Sequence, residues 1–147
     1  MVMRRFRVAA SVVLVVLCAC SVSTDPTPNN IAGTFELTTV DSAPLPVVES
    51  ETATQVKTLL NASVTLNSNL SFMQVLNYRV TSKADGSVQS SQTTRNGTFV
   101  MQGKTVTFLI PTFNGDSPPT GWSGTVSGNV LIFSDPFSGK LAVYQRE

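Results

Sequence analysis

The chain has 147 residues, with 10 Lys and Arg against 9 Asp and Glu, no histidine and two cysteines. Without imidazole, the usual general base near neutral pH and the commonest transition-metal ligand are missing. Charged residues make up only 13% of the chain and form no basic patch, which argues against a nucleic-acid partner.

Residues 1–7 carry Arg4, Arg5 and Arg7, and residues 8–17 are apolar apart from Ser11. Small residues follow. This order of basic, apolar and small segments predicts a secretory signal peptide over residues 1–19. The apolar run is shorter than the roughly 20 residues a membrane-spanning helix needs. Removing the three leader arginines leaves seven basic residues against nine acidic ones, a net charge of −2. The four residues Leu17-Cys18-Ala19-Cys20 resemble the lipobox of bacterial lipoproteins, with Cys18 a small departure at the second position. The resemblance implies cleavage before Cys20 and modification of Cys20 with palmitate-class acyl chains. Two or more such chains anchor firmly, at ~0.8 kcal/mol per buried CH₂. Ser21 is not the Asp that resembles an inner-membrane retention signal, so the resemblance implies an outer-membrane location in the cell envelope. Cys18 leaves with the leader, so Cys20 has no disulfide partner and no thiolate metal cluster is expected.

Residues 20–30 are dominated by Pro, Ser, Thr and Asn and predict a solvated tether. The folded domain is expected over 31–147. Residues 31–40 alternate as a strand, with Phe35, Leu37 and Thr39 on one face. After a turn at 41–44, Pro44 and Pro46 favour an extended edge strand at 45–49. Residues 49–60 are ambiguous. Ala53, Val56 and Leu60 have helical spacing, and Thr52 with Gln55 mimics a capping box. Thr54, Val56 and Thr58 alternate instead, and the apolar stripe is thin for a lone helix, so a strand is preferred. Val64 and Leu66 point inward from the next strand. The longest strand is expected at 70–81, with Leu70, Phe72, Leu76, Tyr78 and Val80 on one face. Met73 and Val75 on the other face suggest contact on both sides.

Residues 83–86 predict a hairpin turn. Residues 87–95 read as a polar strand, and Asn96-Gly97 as a turn or bulge. A repeat then follows. Gly97-Thr98-Phe99, Gly103-Lys104, Val106 and Phe108 are echoed by Gly124-Thr125-Val126, Gly128-Asn129, Leu131 and Phe133. Each copy predicts a hairpin. A loop at 111–121 separates them, and Trp122 is expected in the core. The last strand, 141–145, is read with Leu141 and Val143 inward. Eight or nine short strands joined by hairpins predict an all-β, antiparallel up-and-down meander. Closing into a small barrel pairs the edges most completely. A two-sheet sandwich is the alternative.

Gly33-Thr34-Phe35-Glu36-Leu37, Leu45-Pro46, Val64-Thr65-Leu66, the two glycine hairpins and the closing Leu141-Ala142-Val143-Tyr144 together resemble the small lipocalin-like β-barrel lipoproteins of bacteria. The resemblance covers residues 31–145 and implies a calyx-like barrel that binds a small hydrophobic ligand. Phe35, Phe72, Leu76, Tyr78, Phe99, Phe108 and Phe133 would line it. The competing expectation is that these side chains fill the core, leaving a structural or protein-interaction module of the envelope. Hydroxyls are plentiful but nothing is expected to activate them, so no catalytic residue, cofactor or enzymatic activity is predicted. Asn61, Asn69 and Asn96 match the glycosylation sequon, but turn positions explain them better.

Overall fold

The computed structural model describes residues 26–111 and 120–146. The expected leader, Cys20 and the middle of the expected 111–121 loop lie outside the described residues. Among the described residues, apolar side chains at every second position, interrupted by Gly, Asn and Pro, set ten strands, and one short helix precedes them. They are α1 (Pro28–Ile31), β1 (Gly33–Val40), β2 (Ala43–Pro44), β3 (Val47–Glu51), β4 (Gln55–Leu66), β5 (Ser71–Ser82), β6 (Val88–Gln102), β7 (Thr105–Ile110), β8 (Thr120–Ser127), β9 (Val130–Ser134) and β10 (Leu141–Arg146). Every pairing is antiparallel.

From β4 to β10 each strand pairs with the next along the chain. β1 then pairs with β10 on one side and with β4 on the other, so eight strands close into a barrel. Above Glu36, β1 and β4 diverge. β2 pairs with the upper part of β1 and β3 with the upper part of β4. The barrel thus has a base, where α1 and the β4–β5, β6–β7 and β8–β9 turns gather, and a mouth bordered by β3 and the β9–β10 turn.

Residues 49–51 and 55–60 are strand rather than helix, as preferred, with a turn over 52–54 between them. Thr52, which with Gln55 mimicked a helix cap, sits in the turn between β3 and β4. Its Oγ1 accepts hydrogen bonds from the Thr54 and Gln55 amides at 3.3 and 3.1 Å. Hydroxyl-to-amide bonds of this kind serve a turn as well as a helix start. The two repeat hairpins also form, with Gly103 and Gly128 at φ of +57° and +58° in their turns, and Trp122 is buried.

Other expectations are corrected. The longest strand is β6, at 15 residues. Asn96-Gly97 makes no turn: the two residues pair with Met73 and Phe72 in mid-strand. The wish for a turn came from residue type, but Gly97 is needed for space. A Cβ there would strike the Leu109 carbonyl and come within 2.8 Å of the Phe72 ring. Leu70 does not share the inner face of β5; it lies exposed in the preceding turn at φ +68°. Met73 is exposed too, so β5 is covered on one side only. In β1 a register shift between Leu37 and Thr39 puts Val40 rather than Thr39 inside. In β10 the inward residues are Ala142 and Tyr144, and Leu141 is exposed. A one-residue change of phase moves every side chain to the opposite face. The phase of β10 is fixed by pairing with β9, where Tyr144 stands opposite Leu131.

Candidate functional site

The residues expected to line a ligand cavity are all buried, and the structure spreads them through the height of the barrel. Phe72, Phe108 and Phe133 meet in the middle with Trp122 and Tyr144. Phe108 stacks on Trp122 at 5.1 Å, Phe72 meets Phe108 edge-on at 5.0 Å, and Phe133 stacks on Tyr144 at 5.1 Å. Such contacts add about 0.5–1.5 kcal/mol each beyond the area they bury. Phe35 sits at the base. The Arg146 guanidinium lies 4.8 Å from its ring centre and donates from Nη1 to the Asn30 carbonyl at 3.1 Å, tying α1 to the last strand. Pro28–Asn30, at the end of the expected tether, thus take part in closing the base. Phe99 is fully buried in β6 opposite Phe108. Leu76 and Tyr78 lie towards the mouth.

The mouth holds a polar cluster that the sequence reading did not single out. Gln74 follows Phe72 on the inner face of β5 and is fully buried. Its Nε2 donates to the Tyr144 hydroxyl at 2.9 Å, and its Oε1 accepts from Arg95 Nη1 at 3.0 Å. The same Arg95 nitrogen donates to Asp135 Oδ2 at 2.6 Å. Asp135 Oδ1 accepts from the Phe137 and Ser138 amides at 3.0 and 2.9 Å and from the Ser138 hydroxyl at 3.2 Å. Asp135 therefore shapes the β9–β10 turn while pairing with β6. Phe137 covers the Arg95 guanidinium, with 4.1 Å to its ring centre.

Burial works to raise the Asp135 carboxyl. The Arg95 guanidinium and the Ser138 and Phe137 amides outweigh it and hold the group below its ordinary value. Asp135 is thus a poor base for the Ser138 hydroxyl it touches. Burial pushes the Tyr144 hydroxyl up. Burial and the neighbouring Glu49 carboxylate push the Tyr78 hydroxyl up as well.

A second cluster fastens β3 across the mouth. Tyr78 Oη donates to Glu49 Oε1 at 2.9 Å, Lys57 Nζ pairs with Glu49 Oε2 at 2.9 Å, and Lys57 lies 3.8 Å from the Tyr78 ring centre. Lys140 Nζ reaches over from β9–β10 to the Val48 carbonyl at 2.9 Å. Beneath β3, among Leu37, Val47, Leu59, Leu76 and Tyr144, is an internal pocket of only about 20 Å³. That is room for roughly one water molecule. At the mouth, between β3, the inner face of β5 and β6 and the β9–β10 turn, an open groove of about 520 Å³ runs past Lys57, Tyr78, Thr93, Arg95 and Phe137. Among the described residues no group of three or more His, Cys, Asp or Glu is placed to hold a metal ion.

No family model, curated protein or solved structure matched the chain when it was compared with them.

Proposed function

We propose that this chain is a lipid-anchored protein of the bacterial cell envelope, held at a membrane through Cys20. In this reading it is a lipocalin-like barrel that works through its outer surface, not by chemistry or by carrying a ligand in its lumen. The anchor rests on Leu17-Cys18-Ala19-Cys20 behind a basic and apolar leader. The observation that supports the mode of action is how little room remains beneath β3, among Leu37, Val47, Leu59, Leu76 and Tyr144. A drug-sized ligand takes a pocket of about 300 Å³ or more, whereas the pocket beneath β3 is about 20 Å³ and the groove of about 520 Å³ at the mouth is open to solvent. The polar groups at the mouth are spent on one another, Arg95 with Asp135 and Glu49 with Lys57 and Tyr78.

Metabolic labelling with a palmitate analogue tests the anchor. The natural chain takes up label and sediments with membranes, and Cys20→Ala gives an unlabelled, folded, soluble protein. Membrane retention of Cys20→Ala would refute the anchor. Native mass spectrometry of the protein purified from its own host tests the lumen. A bare barrel is expected, and a stoichiometric hydrophobic molecule in it would restore the ligand carrier.

A further inference from the structure

β6 is longer than the strand that follows it. It pairs with β5 from Val88 to Thr98, but with β7 only from Thr98 to Gln102. Among the described residues, nothing pairs with the other side of residues 88–97. The Ser87 carbonyl and the Phe99 amide both bond towards β5. Alternation therefore turns the N–H and C=O groups of Val88, Ser90, Gln92, Thr94 and Asn96 away from it. Natural sheet edges are blunted by charge, proline or a bulge. Here residues 88–97 hold no proline and a single charge, Arg95, which is already bound to Asp135.

A row of side-chain amides crosses the outer face of the same strands and ends at this edge. Asn77 Nδ2 donates to Asn61 Oδ1 at 2.7 Å, and Gln92 Nε2 donates to Asn77 Oδ1 at 2.8 Å. Gln92 is left with one N–H and its Oε1 free of any partner among the described residues. An amide with a spare donor and a spare acceptor is complementary to itself.

We propose that two copies of the chain associate through this edge, β6 against β6, antiparallel about a twofold axis at Gln92. In that register Ser90 faces Thr94 and Val88 faces Asn96 of the second copy. Every outward N–H and C=O from Val88 to Asn96 then finds a partner. Arg95 faces Gln89, so no like charges stand opposite each other. The two Gln92 amides exchange hydrogen bonds and join the two amide rows into one. The sheet β3–β4–β5–β6 continues into its symmetry mate, and the contact is isologous, as a closed dimer requires.

Light scattering on the full-length protein, purified with detergent micelles in excess, tests the pairing. The natural chain is expected at twice its monomer mass. Gln92→Lys sets two cations face to face and should halve that mass with an unchanged circular dichroism spectrum. Thr94→Pro, which removes an outward N–H, should do the same. Hydrogen exchange reads the edge without any substitution: the Ser90, Gln92, Thr94 and Asn96 amides exchange slowly in the dimer and become fast on dilution to monomer. A natural chain that stays monomeric at every concentration overturns the proposal, as does a dimer that survives both substitutions. Slow exchange of these amides in a monomer also overturns it, because another segment of the same chain would then occupy the edge.

Discussion

Arg95 Nη1 lies 2.6 Å from Asp135 Oδ2, and each side chain keeps only 11% of its surface. The guanidinium is held between Gln74, Asp135 and the ring of Phe137, so one cation joins β5, β6 and the β9–β10 turn. Removing one member of such a pair strands the other without compensation, and that costs more than the pair itself contributes. Asp135→Asn should lower the unfolding free energy by about 3 kcal/mol in urea denaturation. A loss under about 1 kcal/mol would mean that solvent reaches the pair and screens it.

The same carboxyl gives acid sensitivity with a definite sign. Its value in the folded chain is lowered. As pH falls, the unfolded chain therefore takes up the proton first, near the ordinary carboxyl value of about 3.9. The stability contributed by Asp135 is complete above that value and is lost as pH drops through the lower, folded one. Denaturation curves between about pH 6 and pH 2 should show this decline. In Asp135→Asn the decline should be shallower.

At the alkaline end the tyrosines act in the opposite direction. Tyr78 and Tyr144 are raised in the folded barrel. Their contribution is complete below about pH 10, the unfolded value, and is lost as pH rises towards the folded ones. Phenolate absorbance near 295 nm should appear together with the loss of β-sheet signal. Two fully ionised tyrosines in an intact barrel would contradict the burial described above.

Gly124 pairs with Val106 and Phe133, and a Cβ there would come within 2.6 Å of the Ile132 carbonyl oxygen and 2.8 Å of Phe133 Cβ. Gly124→Ala should cost about 1–3 kcal/mol, the usual range for overpacking. Gly86→Ala meets no atom within 4 Å but sits at φ +70°, so its smaller cost would come from the backbone alone. Thermal unfolding of the two variants side by side separates space from conformation.

Phe108 touches Phe72, Trp122 and Phe133. Phe108→Ala should destabilise the barrel by about 3–5 kcal/mol and leave an apolar void. Benzene should raise the melting temperature of that variant and leave the natural chain unmoved, because a dry apolar cavity takes up small aromatics. A benzene response in the natural protein would show that its lumen has room.

Much of the architecture could be read from the residues because strands and turns announce themselves locally. Gly103 and Gly128 supply the positive φ of two hairpins, and Ala62, Val64 and Leu66 alternate without interruption on the inner face of β4. The misreadings have non-local causes. Gly97 resembles a turn residue in a string of letters, and only the approach of the Leu109 carbonyl and the Phe72 ring reveals its use. Val40 enters the core through a shift of register that no alternation signals. The inward phase of β10 is set by β9. The polar cluster was hidden in the same way. Gln74 stands on the inward phase between Phe72 and Leu76, and that position was the available signal. Asp135 carries no local signal of its role, because its partner Arg95 lies 40 residues away in the chain.

β1 is bonded on both flanks, to β10 and to β4, and α1 leads directly into its lower end. A pull on the chain ahead of α1, away from the base, therefore runs along β1. It cannot peel the strand off one bond at a time, since the two ladders are loaded together and in shear. Arg146, which grips Asn30 from the last strand, takes up that load before the first rung does. A barrel pulled from its N-terminal end in this way would resist being torn open.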